Sequence, residues 1–380
     1  MRVVMNTRSS LAHVDFTRQT FCLLGLPFDA LTMPAIIDKL KQAIAQRQPC
    51  FLSTPNLNFL VNCLDDTAFR NSVLVSDLSI ADGMPIVWLA RILGLPITER
   101  TSGSDLFDCL RQSPGHHIRL FFLGGMDGVA ESACRVLNAD SSSAINAVGY
   151  LSPGFGSIQD MSSDEMINTI NATQADFLLI ALGAKKGQAW VMHNRHKLNV
   201  PVMSHLGAVI NFVAGHVKRA PKYIQRLGLE WLWRIYQEPA LWQRYYHDGL
   251  RFLKLLLLNI VPYWFWQQTH RTLLAQTELA KVDIIEQSGA AVLVLSGTCT
   301  HATIEPIRQA LTRIATSYST IRFDLAKVSV MDSSFIGLCL LAYSHCFKQA
   351  GELVFLNVSS EQRRIFTWHC AEFLLTHKDF

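Results

Sequence analysis

The feature that most constrains the fold lies between about residues 21 and 215, where short apolar runs alternate with helical patterns. The runs at 50–53, 73–75, 119–123, 144–149, 177–182 and 201–205 are rich in β-branched or aromatic residues and often end in glycine or a polar turn residue, which predicts strands. Amphipathic stretches at 33–45, 58–71, 129–138 and 165–173 lie between them and predict helices. This alternation predicts an α/β fold, a Rossmann-like parallel sheet with helices on both faces. Such a fold binds ligands outside the carboxyl ends of its strands. The loops that follow the strands are therefore the places to look for chemistry.

The rest of the chain divides around that core. Residues 1–20 read as a loosely ordered leader. From 216 to about 275 the character changes: Lys218, Arg219, Lys222, Arg234, Arg244, Arg251 and Lys254 interleave with Trp231, Trp233, Tyr236, Trp242, Tyr245 and Tyr246. Cations beside aromatics and an apolar helix suit a membrane surface, where rings sit at headgroup level and cations meet anionic lipid. A helical packing arm or an oligomer interface would use the same residues. Residues 246–281 read as a hydrophobic and basic linker helix, and 282–380 as a second compact unit of alternating strands and helices. The longest apolar stretch, 255–266, contains Asn259 and Pro262 and falls short of the roughly 20 residues a spanning helix needs. The first apolar run follows about twenty largely polar residues, which is no signal-peptide pattern. The nine cysteines are scattered with no Cys-x-x-Cys pair, as expected of reduced thiols in the cytosol. With 49% hydrophobic and 17% charged residues, large cores are affordable, and a net charge of +4 does not imply a nucleic-acid partner.

Several motifs fall on strand-end loops. Thr54 and Asn56, in Ser-Thr-Pro-Asn-Leu-Asn, are a polar pair at a strand-to-helix turn and equally suit a helix cap. Asp82, in Ala-Asp-Gly-Met-Pro, ends an apolar segment and opens a helix. A carboxylate there suits a general base, and Asp-Gly is also common in turns. Arg100, in Glu-Arg-Thr-Ser-Gly-Ser-Asp, could pair with a diphosphate or form a surface salt bridge. Gly124 and Gly125 follow a strand and precede a helix, where backbone N–H groups can approach phosphate. The absence of Gly-x-Gly-x-x-Gly argues against a dinucleotide oxidoreductase. No Asp-x-Asp occurs, and the histidines form no metal-ligand set, so neither metal nor other cofactor is expected.

Taken in order, the stretch from about 50 to 245 resembles the WecG/TagA/CpsF glycosyltransferases, family 26. The carrying residues are Thr-Pro-Asn at 54–56, Ala-Asp-Gly at 81–83, Glu-Arg-x-x-Gly-x-Asp at 99–105, Phe-Leu-Gly-Gly at 122–125 and Arg-Ala-Pro…Gly-Leu-Glu-Trp-Leu-Trp-Arg…Glu-Pro at 219–239. The resemblance implies a domain spanning 21–245. It implies transfer of a sugar, N-acetylmannosamine-type or another, from a UDP-sugar to a polyprenyl-diphosphate-linked saccharide, with inversion. This would take place at the cytoplasmic face of the bacterial inner membrane, in exopolysaccharide or envelope-glycan assembly. It implies Asp82 as base, with Thr54, Asn56, Arg100, Gly124, Gly125, Gln188, Arg234 and Arg244 contacting substrate. Two departures point to an altered donor or acceptor. The family's Gly-x-Pro-Lys-Gln-Glu-x-Trp reads here with Gly187 and Gln188 at its polar pair, and Leu241 stands where a further arginine is common.

The C-terminal unit resembles a STAS domain, the fold of anti-sigma-factor antagonists and of sulfate-transporter tails, on its β-α order and on Val-Met-Asp-Ser-Ser-Phe-Ile-Gly at 330–337. That resemblance implies a protein partner and a regulatory phosphorylation at Ser334, with Ser333 beside it. Phe335 replaces the glycine usual after the serine, and Asp332 and Ser333 equally suit a helix cap. A regulatory scaffold, in which a degenerate transferase domain senses sugar nucleotide for the STAS unit, is the competing reading. The presence of Thr54, Asn56, Asp82 and Arg100 together favours the enzyme.

Overall fold

The computed structural model describes residues 14–113, 117–287 and 289–376. They form two compact units, one of Asp29–Leu255 and one that joins the N-terminal segment through Phe28 to Leu256–Phe380. Among the described residues, no helix is long and apolar enough to cross a membrane, and none of the nine cysteines is paired.

The chain opens with β1 (Thr20–Leu23) and β2 (Leu26–Asp29), a two-stranded ribbon. Six parallel strands then build the sheet of the larger unit: β3 (Cys50–Ser53), β4 (Leu78–Ser79), β5 (Ile118–Gly124), β6 (Ile145–Leu151), β7 (Phe177–Ala181) and β8 (Val202–His205), in the order β4-β3-β8-β7-β5-β6. Side chains alternate across it. Leu52, Leu120, Phe122, Phe177, Leu179 and Val202 enter one buried cluster, while Phe51, Phe121, Leu123, Leu178, Ile180 and Met203 enter the other. A parallel sheet covered by helices on both faces must be apolar on both, which is why these strands read as continuous apolar runs.

The run at 73–75 is not a strand. It ends the helix Thr67–Leu74, whose N-cap Asp66 accepts from Phe69 N, and Phe69, Ser72 and Val73 share its buried face at helical spacing. The stretch at 58–71 is two helices, Leu57–Cys63 and Thr67–Leu74, because Asp66 starts a second one.

After the sheet comes an appendage of three helices, Lys222–Arg226, Glu230–Gln237 and Trp242–Leu255. Asn58 Nδ2 donates to Asp248 Oδ2 at 2.8 Å and Arg251 pairs with Asp65, which fastens the last of these helices to the sheet domain. The expected linker, 246–281, falls across the division of units at Leu255.

In the second unit the helices Val261–Thr269 and Arg271–Leu274 precede β9 (Lys281–Gln287), β10 (Ala290–Cys299), β11 (Ile321–Met331) and β12 (Leu353–Leu356), ordered β12-β11-β10-β9. β9 is antiparallel to β10 and the rest are parallel. Residues 1–13 of the expected leader lie outside the described residues. Residues 14–20 are packed rather than loose: Phe16 is buried and Arg308 Nη1 donates to its carbonyl at 2.9 Å.

Candidate active site

All six strands of the larger sheet point the same way, so their carboxyl ends share one edge. β3 delivers Thr54 and Asn56, β4 delivers Asp82, β8 ends on His205, and β5 ends on Gly124, with Gly125 next in the chain. The loops are tied by backbone bonds that continue the sheet. Ile80 N donates to Ser53 O at 3.0 Å, Asp82 N to Pro55 O at 3.1 Å and Thr101 N to Ala81 O at 2.9 Å.

Three adjoining cavities open along this edge. The central one, about 410 Å³, is lined by Thr54, Asn56, Asn58, Asp82, His205, Asn211, Leu241, Arg234 and Arg244 among others. On one side it shares Ala181, Gly207 and Asn211 with a cavity of about 270 Å³ that holds Gly124, Gly125 and Lys186. On the other it shares Asp82, Asn56, Arg234 and Arg244 with a cavity of about 330 Å³ walled by Met84, Pro85, Phe212, Trp231 and Tyr245. The edge thus runs from a glycine loop, through a polar centre, to an aromatic wall.

Asp82 sits half-buried in the centre, and its carboxylate accepts no hydrogen bond among the described residues. The next residue, Gly83, is the N-cap of the helix Met84–Ile92 at φ 133°, a conformation that costs glycine little. The cap is thus made without the Asp82 side chain. Burial pushes the Asp82 carboxyl up to about 6; Arg100 and Arg234 pull it down, and Glu230 and Asp105 push it further up. Thr54 is buried at the cavity wall. Asn56 does cap its helix, accepting from Phe59 N at 3.2 Å, and it lines both the central and the aromatic cavities.

The arginines divide into two kinds. Arg100 is paired: it meets Asp105 at 2.8 Å and Glu230 at 2.5 Å and donates to Gln225 at 3.2 Å. Arg219 joins the same network through Asp105 and through Asp108 at 2.5 Å. Residues 100, 105, 219 and 230 all belong to the motifs quoted above, and their spacing could not show that they converge. Arg100 is thus in a salt bridge, though a partly buried one that ties the appendage to the sheet domain, and it also lines the aromatic cavity. Arg234 and Arg244 form no ion pair among the described residues, and Arg234 Nε is buried without a hydrogen-bond partner. Arg234 lies over the Phe212 ring and Arg244 over the Tyr245 ring, at 6.0 and 5.1 Å.

Gln188 is not brought to the cavities. Its side chain is buried and donates to Ser53 Oγ at 2.9 Å, beneath the sheet edge rather than at it. Gly124 and Gly125 do reach the edge, both at positive φ, and a Cβ on Gly124 would stand 2.7 Å from Ala181 O. His205 was missed in the sequence. It has no motif of its own, and the only signal was a polar residue at a strand end close to two glycines, Gly187 and Gly207.

Ser333 and Ser334 are both fully buried. Asp332 caps the helix Ser333–Lys348, accepting from Ser334 N and Phe335 N. Ser333 Oγ donates to Cys22 O at 2.7 Å and Ser334 Oγ to Asp332 Oδ1 at 2.5 Å. The hydroxyl of Ser334, where the resemblance places a phosphorylation, is thus held by Asp332, and β1 takes the hydroxyl of Ser333 beside it.

Comparison with known proteins agrees with this architecture. Residues 21–264 match the glycosyl transferase WecG/TagA/CpsF family, and residues 281–374 match the STAS domain. The chain belongs to the WecG/TagA/CpsF family of glycosyltransferases and carries a C-terminal STAS domain. An N-acetylglucosaminyldiphosphoundecaprenol N-acetyl-beta-D-mannosaminyltransferase of Staphylococcus aureus strain MW2 is 25% identical over 247 residues, which cover 64% of this chain and 90% of that protein. Its counterpart in strain NCTC 8325 / PS 47 is 25% identical over 237 residues, covering 61% and 87%. Among solved structures, the anti-sigma factor antagonist SpoIIAA in its unphosphorylated form is 26% identical, covering 23% of this chain and 83% of that one, with a TM-score of 0.22.

Proposed function

We propose that the chain transfers a hexosyl group, of N-acetylmannosamine, glucose or uronic-acid type, from a UDP-sugar to a polyprenyl-diphosphate-linked saccharide, with inversion. The observation that carries this is the carboxylate of Asp82, uncapped and partly desolvated between a glycine loop and an aromatic wall. In the proposed arrangement the donor diphosphate lies toward Gly124 and Gly125, the transferred sugar fills the central cavity, and the acceptor enters past Trp231 and Tyr245. The acceptor hydroxyl gives its proton to Asp82 as its oxygen bonds to the anomeric carbon. The bond from that carbon to the UDP oxygen breaks, and UDP leaves with the electron pair. Arg234 and Arg244 stabilise that charge; in a site of low dielectric such groups are worth more than in water. No metal is needed in this scheme. The named relatives act on N-acetylglucosaminyldiphosphoundecaprenol, which supports a lipid-diphosphate acceptor here.

A place at the cytoplasmic face of the inner membrane, in exopolysaccharide or envelope-glycan assembly, suits that acceptor. The exposed Tyr236, Trp242 and Tyr246 of the appendage, beside exposed Lys218 and Lys222, suit contact with a lipid surface. The STAS domain suits a protein partner, reached by a surface other than the covered serines. The test is UDP release from UDP-N-acetylmannosamine, UDP-glucose and UDP-glucuronic acid with undecaprenyl-diphospho-N-acetylglucosamine. The expected result is acceptor-dependent release with at least one donor, unchanged by EDTA. No release with any donor sinks the enzyme reading in favour of the scaffold, and loss of release in EDTA sinks the metal-free mechanism.

A further inference from the structure

Besides Asp82, Arg234 and Arg244, the central cavity is lined by two titratable side chains that the mechanism does not use, Glu238 and His205. His205 ends β8 and contributes to the cavity wall. Its ring is seated between two glycines. A Cβ on Gly187 would overlap its Cδ2, and a Cβ on Gly207 would stand 3.0 Å from its Nε2. The room for an imidazole at this point therefore exists only because both positions lack side chains. The ring nevertheless pays for its place: Nε2 is buried with no hydrogen-bond partner. An orphaned buried nitrogen costs stability that a neutral pair of apolar groups would not. Such a group in a cavity wall is satisfied when a ligand of matching chemistry arrives.

We propose that His205 is a specificity-determining residue, whose unpaired imidazole nitrogen hydrogen-bonds a hydroxyl or acetamido group of the sugar held in the central cavity. The inference rests on the transferase reading for the identity of that sugar as the one transferred. In a neutral imidazole that nitrogen is either a donor or an acceptor, according to the tautomer, and a sugar hydroxyl can complement either. Burial pulls the His205 imidazole down to about 4, whereas burial pushes Asp82 up to about 6. At neutral pH the ring is therefore uncharged and is the weaker base of the two. Asp82 takes the proton and His205 reads the substrate. A site that hydrogen-bonds a substrate group rejects an analogue lacking it far more strongly than an apolar pocket does, so the residue is placed to choose among hexoses.

The test has two arms on the full-length protein. In the first, kcat/KM for UDP release is measured with UDP-N-acetylmannosamine, UDP-N-acetylglucosamine, UDP-glucose and UDP-glucuronic acid for wild type, His205→Phe and His205→Gln. The expected result is that His205→Phe lowers kcat/KM for the preferred donor roughly 10- to 100-fold and flattens the ranking, while His205→Gln, which keeps a donor and an acceptor, recovers most of both. Unchanged ranking and rates within about 3-fold in His205→Phe would overturn it. The second arm needs no turnover, and the variant serves only to assign the signal. The ring signals of wild-type protein labelled at histidine, with His205 assigned by its absence in His205→Gln, are followed on adding UDP or each UDP-sugar. His205 should move with at least one UDP-sugar and stay still with UDP alone. Equal response to UDP, or no response to any of the four, contradicts the proposal. If wild type releases no UDP yet His205 answers a UDP-sugar, the transferase reading fails and the sugar contact stands.

Discussion

Asp82 and Asp332 occupy the same local device, a strand followed by an aspartate and a helix, and the structure uses them in opposite ways. Asp332 is the N-cap of its helix; its carboxylate accepts three backbone N–H bonds, from His301, Ser334 and Phe335, and one from the Ser334 hydroxyl. Its neighbours Ser333 and Ser334 are buried, with Ser333 bonded to β1. Asp82 stands one residue before its cap, because Gly83 takes that place, and its carboxylate is left without a hydrogen bond among the described residues. A capping aspartate contributes about 1 kcal/mol to its helix. An uncapped, partly desolvated one costs stability and keeps its proton affinity. The comparison teaches that the candidate site lies where polar groups are left without partners, whereas Ser333 holds the N-terminal ribbon and Ser334 its own helix cap.

That contrast can be broken at either end. The largest effect after loss of Asp82 itself is expected at the two unpaired arginines. Arg234→Gln and Arg244→Gln should each lower kcat/KM for UDP release by roughly 10- to 100-fold, the worth of a hydrogen bond to a charged group, with thermal stability little changed. Arg100→Gln should instead lower the melting temperature, because it strands Glu230 and leaves Asp105 to Arg219 and Ser102, and equal melting of Arg100→Gln and wild type would deny that distinction. On the other side, Gly337 faces Thr20 O so closely that any Cβ would overlap it. Gly337→Ala should cost about 1–3 kcal/mol by overpacking, read by denaturant unfolding. It should also expose Ser333, raising labelling of the serine face in hydrogen exchange of residues 20–23. Unchanged exchange there would mean that β1 does not guard the serines.

Much of the fold was legible because buried parallel strands and amphipathic helices leave strong periodic patterns. β3, β5, β6, β7 and β8 and the helix Met33–Ala45 fall where apolar runs and helical spacing put them. β4 has only two residues, too short for any period, and a β-rich triplet at 73–75 drew attention in its stead. β1 is short, and only its distant contact with the helix Ser333–Lys348 gives it a place, so residues 14–20 read as a loose leader. The candidate site was legible where side chains reach the central cavity from their own loop, as Asp82, Thr54 and Asn56 do. It was illegible where a role depends on partners far along the chain. Arg100 is neutralised by Glu230, 130 residues later, and Gln188 turns to Ser53, 135 residues earlier. His205 owes its setting to glycines on two different helices, a relation between absences of side chains that no local pattern carries.

The central claim is that the unspent carboxylate of Asp82 is the base. Its most direct test is the pH dependence of kcat/KM for UDP release, in wild type and in Asp82→Asn, with donor and acceptor fixed. Burial raises this carboxyl to about 6, and only the deprotonated form accepts the acceptor's proton. Wild-type activity should therefore be level above that pH and fall about tenfold per unit below it. Asp82→Asn should be slower by roughly 10²- to 10⁴-fold and should lack that limb. A wild-type profile flat from pH 5 to 7, or the same limb persisting in Asp82→Asn, would contradict the account.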